Sequence, residues 1–303
     1  MRFHSKIEFY FTVYFFPTHE PLINPMNYRF PLHDVSIKLI TKKKEIKHPL
    51  YEYQTFRVSP NEIQVELEGM GSLLIKNGNQ IEVFIDHNLP KFHMELSLQH
   101  MGLVGILHQR KLLNFHASAV AWNGMGIMIC GDSGVGKSSL TAAFCEHEAR
   151  FVSDDVTVIQ FKEEKPYIQP LEKYMALRMG TIEQINPTST ASGMHPITGK
   201  YLFEYPSQSE LVPLSHVLWI TPNDGNEFEF TSLGGVEKFS MLRGEICEWE
   251  ILKGMPETEV EFMRQLLLIS QMIPITQVKR NKASGIKEFF NAVLEYMELE
   301  SLR

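Results

Sequence analysis

The sequence has 303 residues, of which 44% are hydrophobic and 21% charged; these proportions are typical of a globular chain and exclude a mainly disordered one. The net charge is −7 and the longest basic run is Lys42-Lys43-Lys44, so we expect no nucleic-acid partner. Three cysteines without C-x-x-C spacing indicate neither a disulfide framework nor a zinc site, and they favour a reducing, cytoplasmic location.

The first third of the sequence is typical of a β-rich module. Residues 7–16 are apolar but too few to span a membrane, so they predict a strand, and no other segment predicts a membrane partner. Apolar and polar residues alternate, as in half-buried strands, over residues 35–39, 63–67 and 81–85. Asn77-Gly78 predicts a hairpin turn, and residues 94–108 predict a helix that is apolar on nearly all sides. We place a first domain at residues 1–110 and a second domain at residues 111–303.

A glycine-rich segment matches the phosphate-loop pattern G-x-x-x-x-G-K-[ST] at every position. Its residues are Gly131, Asp132, Ser133, Gly134, Val135, Gly136, Lys137 and Ser138. The preceding residues 126–130 predict a strand, and residues 139–144 predict a helix. In this setting the main-chain N–H groups and the positive end of the helix dipole face an anion. We therefore predict a binding site for a nucleoside triphosphate. The alternative is an ordinary glycine turn between a strand and a helix.

Three side chains at the end of the loop have the chemistry that a bound triphosphate requires. Lys137 would reach the outer phosphates, and the Ser138 hydroxyl would ligate the Mg²⁺ ion that bridges them. Ser139 is expected to border the same nucleotide site. The predicted ligands are therefore a nucleoside triphosphate and Mg²⁺.

A histidine lies in the apolar run just before the loop strand. Residues 112–120 are interrupted by His116 and Ser118, and Asn123-Gly124 then predicts a tight turn into the loop strand. We expect one strand over the run, paired with the loop strand through that turn. His116 is either a packed polar residue or a functional one, and the sequence leaves both open.

Two adjacent aspartates follow the predicted loop helix. Asp154 and Asp155 follow Phe151-Val152-Ser153, so we expect them at the end of the next strand of an α/β unit, where ligands bind. Phosphoryl transfer needs one carboxylate for Mg²⁺ and another group for the attacking hydroxyl, and a neighbouring pair divides those roles. The alternative is an ordinary acidic turn.

Residues 186–200 are rich in Pro, Ser, Thr and Gly and predict a mobile surface loop that could close over the site. Arg178 and Lys200 flank this segment. Each could neutralise charge on a transferring phosphoryl group or could be an exposed surface cation. Further along, residues 217–220 predict a buried strand, and two helices are predicted over residues 257–270 and from residue 286 onward.

The order His116-Ala117, then residues 131–138, then Ser153-Asp154-Asp155 resembles the catalytic domain of the HPr kinase/phosphorylase family over residues 112 to about 181. The resemblance implies an α/β fold like that of the ATP-type phosphoenolpyruvate carboxykinases, and Mg²⁺- and ATP-dependent phosphorylation of a protein serine. It implies that Asp154 is the base toward that serine and that Asp155 and Ser138 lie near the metal. It also makes a homo-oligomer the expected state.

The resemblance also implies that His116 lies beside the phosphates. The family has a glutamate and an arginine separated by one residue, and Arg178 matches the arginine. Ala176 stands where that glutamate would be. We find no motif of the dephosphorylation half-reaction, which favours a kinase without phosphorylase activity. The β-rich first third does not resemble that of the HPr kinase/phosphorylase. The layout is more similar to that of relatives found beside ribosomally made peptides, including kinases that phosphorylate a serine of lasso-peptide precursors.

Three functional hypotheses follow from these observations. The first is an ATP-dependent serine kinase that acts on a peptide or small protein. The second is a kinase for a small molecule, which would use the same loop. The third is a non-catalytic nucleotide-binding module, because Ala176 replaces a family glutamate.

Overall fold

The computed structural model describes residues 30–67, 69, 71–85, 97–171, 174–194, 198–225, 227–281 and 283–301. The strand predicted over residues 7–16 and the start of the helix predicted over residues 94–108 lie outside these ranges. Among the described residues, no helix is both long and apolar enough to cross a bilayer.

The first part of the chain forms a six-stranded sheet with the order β1-β6-β5-β4-β3-β2. Its strands are β1 (Ser36–Ile40), β2 (Tyr51–Tyr53), β3 (Phe56–Ser59), β4 (Glu62–Leu67), β5 (Gly71–Lys76) and β6 (Gln80–Ile85). The strands predicted over residues 35–39, 63–67 and 81–85 are confirmed as β1, β4 and β6. The hairpin turn is confirmed as well, since both Asn77 and Gly78 have positive φ.

A helical segment packs on the inner face of this sheet. It begins as a π-helical turn, Leu98–Gly102, and continues as α1 (Leu103–Gln109). The helix approaches β5 closely, because a Cβ atom on Gly105 would lie 2.5 Å from Cδ1 of Ile75. A 3₁₀ helix, Trp249–Gly254, contributes to the same apolar cluster from much later in the chain.

The second sheet has nine strands and carries the phosphate loop. Its strands are β7 (Leu113–Phe115), β8 (Ser118–Trp122), β9 (Met125–Cys130), β10 (Arg150–Ser153), β11 (Thr157–Lys162), β12 (Lys165–Gln169), β16 (Val212–Pro222), β17 (Glu229–Ser232) and β18 (Ile275–Arg280). The strand order is β10-β8-β9-β16-β12-β11-β7. It branches at β16, because the carboxyl-terminal half of that strand also pairs in parallel with β18.

The single strand expected over residues 112–120 is wrong. The chain breaks there into β7, which pairs with β11, and β8, which pairs with β9 and β10. At the break the main-chain N–H of His116 donates to the Glu245 carbonyl oxygen at 2.8 Å, so it is withdrawn from the ladder. The predicted turn at Asn123-Gly124 is confirmed and joins β8 to β9.

Helices cover both faces of the second sheet. Successive side chains of β9 point to opposite faces, and both sets are apolar and buried. Ile127 and Ile129 face one core together with α2 (Lys137–Glu146) and α6 (Ile286–Ser301). Met128 and Cys130 face another core. The helices on that side are α4 (Gly235–Gly244) and α5 (Pro256–Met272). The two late helices predicted from apolar periodicity are confirmed as α5 and α6.

A small third sheet lies beside α2. It has the order β13-β15-β14, with β13 (Tyr174–Leu177), β14 (Gly193–Met194) and β15 (Tyr201–Glu204). Helix α3 (Met179–Ile185) follows β13. The segment 186–200, expected to be a loop throughout, therefore contains the short strand β14, which pairs with β15.

Candidate nucleotide and phosphoryl-transfer site

The phosphate loop and the aspartate pair meet at one edge of the nine-stranded sheet because of strand direction. Strand β8 is antiparallel to β9, and β10 is antiparallel to β8, so β9 and β10 run in the same direction. Their carboxyl ends therefore lie at the same edge. Residue 131 follows the end of β9 and Asp154 follows the end of β10, which brings the two motifs together.

The loop folds around its own lysine. Gly131, Gly134 and Gly136 have positive φ angles of 132°, 83° and 112°. The Lys137 ammonium donates hydrogen bonds to the carbonyl oxygens of Gly131 at 2.6 Å and Asp132 at 3.4 Å. Lys137 is only 6% exposed, so its charge is held inside the loop.

Asp154 is buried and joins the loop to the neighbouring strands. Its Oδ1 atom accepts hydrogen bonds from the hydroxyls of Ser118 at 2.7 Å and Ser138 at 2.8 Å. Its Oδ2 atom accepts from the main-chain N–H of Ala176 at 3.4 Å. Burial, followed by the negative charge of Asp155, raises the pKa of Asp154, although both serine hydroxyls act in the opposite direction.

Asp155 has a different environment from its neighbour. It is exposed and lines the cleft over the loop. Its φ of 75° is uncommon for a residue other than glycine, although aspartate tolerates it better than most. Asp154 is thus buried, whereas Asp155 lies in the cleft.

His116 lies at the cleft with an uncharged ring. Burial, followed by the positive charge of Lys137, lowers the pKa of His116 to about 4. Three further groups influence the pKa of His116 electrostatically: Asp155, which raises it, and His100 and Glu248, whose side chains are 3.3 Å apart. The imidazole is therefore neutral at physiological pH, and it can donate or accept a hydrogen bond there.

The cleft itself has a volume of about 190 Å³. It is lined by His116, Ser133, Gly134, Gly136, Lys137, Ser138, Ser139, Asp155, Ala176, Leu177, Arg178, Thr181 and Lys200. Most of the residues predicted from the sequence are thus brought together, including both cations that flank residues 186–200. Asp154 reaches the cleft through Ser138, whereas the Val135 side chain is buried in the core.

Sequence reasoning missed Glu245, a buried carboxylate beside the loop. Its Oε2 atom accepts a hydrogen bond from the Gly131 N–H at 3.3 Å, and its Oε1 atom accepts from the Trp219 indole at 3.2 Å. Burial raises the pKa of Glu245, opposed mainly by the Gly131 hydrogen bond and the charge of Lys137. No local motif marks this residue, because it follows α4, 114 positions after Gly131.

The fold and the cleft define a class of protein: a mixed α/β chain with a glycine-rich loop between a strand and a helix and with carboxylates at the same sheet edge. Residues 109–183 match the family model of the HPr Serine kinase C-terminal domain. This segment is therefore similar to the HPr Serine kinase C-terminal domain. The resemblance predicted from the motifs is confirmed for this segment, while the relation to lasso-peptide kinases stays a prediction.

Two further comparisons complete the description. The solved structure of the Hpr(Ser) kinase/phosphatase from Coxiella burnetii aligns with a TM-score of 0.34 and 12% sequence identity. The alignment covers 62% of this chain and 93% of that chain. A search of the curated proteins found no match to this chain.

Proposed function

We propose that this protein is an ATP- and Mg²⁺-dependent kinase that phosphorylates a serine hydroxyl of a peptide or small protein. The observation that carries the proposal is the 2.8 Å hydrogen bond from Ser138 of the phosphate loop to Asp154. It links the group that would ligate a metal to a carboxylate with the raised pKa that a general base needs.

The nucleotide side of the proposal uses the loop and its two neighbours. The loop N–H groups and Lys137 would bind the phosphates, with Lys137 exchanging its carbonyl partners for phosphate oxygens. Ser138 and Asp155 supply oxygen ligands, the type that Mg²⁺ prefers. Among the described residues no group of three or more His, Cys, Asp or Glu could hold a metal, which fits an ion that keeps water and phosphate ligands. When bound, this ion would neutralise charge on the phosphates.

The acceptor side uses Asp154 and the cations of the cleft. Two serine hydroxyls fix Oδ1 of Asp154, while Oδ2 faces the amide of Ala176, a residue that lines the cleft. Asp154 would take the proton of the attacking serine hydroxyl. Arg178 and Lys200, which line the same cleft, would neutralise charge that develops on the transferred group, and neutral His116 would hydrogen-bond a phosphate oxygen.

We also propose a division of labour along the chain. Residues 111–303 would carry out the transfer, and residues 1–110 together with residues 186–200 would select the acceptor. The first sheet packs against the second part of the chain: Val58 of β3 meets Gly254, where a Cβ atom would lie 2.5 Å from the Val58 Cβ, and Ile251 belongs to the same apolar cluster.

The variants Asp154→Asn and Asp155→Asn test the assignment, with Asp224→Asn in an exposed turn as the control. Asp154→Asn should reduce phosphate transfer from ATP by about 10²–10⁴-fold and leave Mg²⁺–ATP affinity within a few-fold. Asp155→Asn should instead raise the Mg²⁺ concentration needed for ATP binding. The opposite pattern would exchange the two roles, and full transfer by Asp154→Asn would remove it from the mechanism.

The acceptor class needs a separate measurement. Pools of serine-containing peptides and of free amino acids are incubated with labelled ATP, and the product masses are determined. Phosphopeptides alone support the proposed function, whereas a phosphorylated small molecule would establish a small-molecule kinase. Nucleotide binding without any Mg²⁺-dependent turnover would indicate a non-catalytic module.

A further inference from the structure

A buried arginine lies at the same sheet edge as the phosphate loop. Arg280 is the last residue of β18, which runs parallel to β16, and β16 runs parallel to the loop strand β9. The carboxyl ends of these three strands therefore share one edge. Arg280 is only 5% exposed, although it is absent from the walls of the cleft described above.

The guanidinium of Arg280 has few partners for a buried cation. It donates one hydrogen bond to the Ser284 carbonyl oxygen at 2.9 Å and lies 4.3 Å above the Phe289 ring. Among the described residues, its Nε–H has no acceptor, and no carboxylate acts on its pKa. Burial alone lowers the pKa of Arg280. A buried charge without a counter-charge destabilises a fold, so an anion is the expected missing partner.

The position of the guanidinium says where such an anion would lie. A Cβ atom built on Gly136 would be 2.6 Å from Nη1 of Arg280, so the cation abuts the loop at the residue before Lys137. The positive φ of Gly136 and this close approach both require glycine there. Phosphates bound by the loop N–H groups would thus have Lys137 near one side and Arg280 near another.

We propose that Arg280 is a second cationic residue of the phosphate site, which orients Gly136 and supplies positive charge to the bound polyphosphate. The inference rests on the proposed function in so far as the loop binds a nucleotide. It adds a residue that lies outside the matched segment 109–183. A purely structural arginine would instead stabilise the protein by its ring contact and its hydrogen bond to Ser284.

The test compares Arg280→Met, which removes the charge and retains an apolar contact with Phe289, with Lys279→Met. Lys279 is the preceding residue, is exposed and pairs with Glu229 at 2.8 Å. Calorimetry measures the affinities for Mg²⁺–ATP and for inorganic triphosphate at two salt concentrations. Arg280→Met should weaken both by about ten- to a hundredfold and reduce their salt dependence, whereas Lys279→Met should leave both unchanged.

The melting temperature without ligand separates binding from structure. Because Arg280→Met removes an uncompensated buried charge, its melting temperature should equal or exceed that of the unmodified protein. Arg280→Lys should recover part of the affinity. Unchanged triphosphate affinity in Arg280→Met would overturn the inference, as would an undiminished salt dependence. If the unmodified protein binds neither ATP nor triphosphate, the proposed function itself fails.

Discussion

The six-stranded sheet and the loop edge of the nine-stranded sheet place charged groups differently. The first region buries an apolar cluster that includes Ile63, Leu73 and Ile75, and its ion pairs lie at the surface, as Lys44 and Glu82 do at 2.8 Å. At the loop edge, Lys137, Asp154 and Arg280 are each less than a tenth exposed.

Apolar packing is concentrated in the first region and buried charge at the loop edge. Apolar burial contributes about 25 cal/mol per Å² whatever its orientation, so the first region stabilises the fold without requiring particular partners. Buried charges are costly unless a partner compensates them, and the loop edge keeps several. On the proposed function, binding of a polyphosphate would offset the cost of burying Lys137 and Arg280, so the two regions should respond oppositely to substitution.

The largest effect on stability is expected in the first region. Leu73→Ala removes a fully buried side chain and should lower the free energy of unfolding by about 2–5 kcal/mol. Chemical denaturation measures this loss, and Leu39→Ala on the exposed side of β1 should cost less than about 0.5 kcal/mol. At a temperature where Leu73→Ala is folded, nucleotide affinity should be normal. A lost affinity would show that the regions are not separable.

A smaller effect should come from a polar residue inside the apolar region. His108 is fully buried, its ring meets Phe262 edge-on, and burial lowers its pKa to about 4 from 6.5. The unfolded chain therefore binds a proton more readily than the folded one. Stability is complete above about pH 6.5 and falls as the pH drops toward 4, by about 3 kcal/mol for this one site.

The variant His108→Leu should make the unfolding free energy less dependent on pH across that window. His116 and His216, whose pKa values are also about 4 because of burial, keep the remaining dependence. Denaturation at pH 7 and pH 5 measures the difference directly. An equal fall in both proteins would show that His108 takes up no proton on unfolding.

The smallest effect should come from Glu245 at the loop edge. Glu245 accepts hydrogen bonds from the Gly131 N–H and the Trp219 indole. In Glu245→Gln, one of these two donors would face an amide NH₂ group and lose its acceptor. A lost buried hydrogen bond of this kind costs about 1 kcal/mol, and we expect nucleotide affinity to fall several-fold. Tryptophan fluorescence should change as well, and Glu237→Gln in the exposed first turn of α4 is the control. Unaltered affinity with a strongly reduced stability would assign Glu245 to the fold alone.

Local sequence patterns were sufficient to predict many of the strands, turns and helices. The strands at residues 63–67 and 81–85, the turn at Asn77-Gly78 and the helices α5 and α6 follow from periodicity and turn chemistry, which depend on near neighbours only. The strand expected across His116 failed because its partner, the Glu245 carbonyl group, comes from a distant helix end. A hydrogen bond of that kind leaves no trace in a short window of sequence.

The phosphate loop and its setting between a strand and a helix could be predicted from the sequence alone, because eight consecutive residues set a backbone conformation suited to an anion. The sequence also supplied the order of His116, the loop and the aspartate pair. Only the tertiary structure decided that Asp154 is buried against Ser138 while Asp155 lines the cleft, and that Glu245 and Arg280 lie against Gly131 and Gly136. The reason is physical: the environment of a buried charge is set by whichever elements pack around it, and those come from distant parts of the chain.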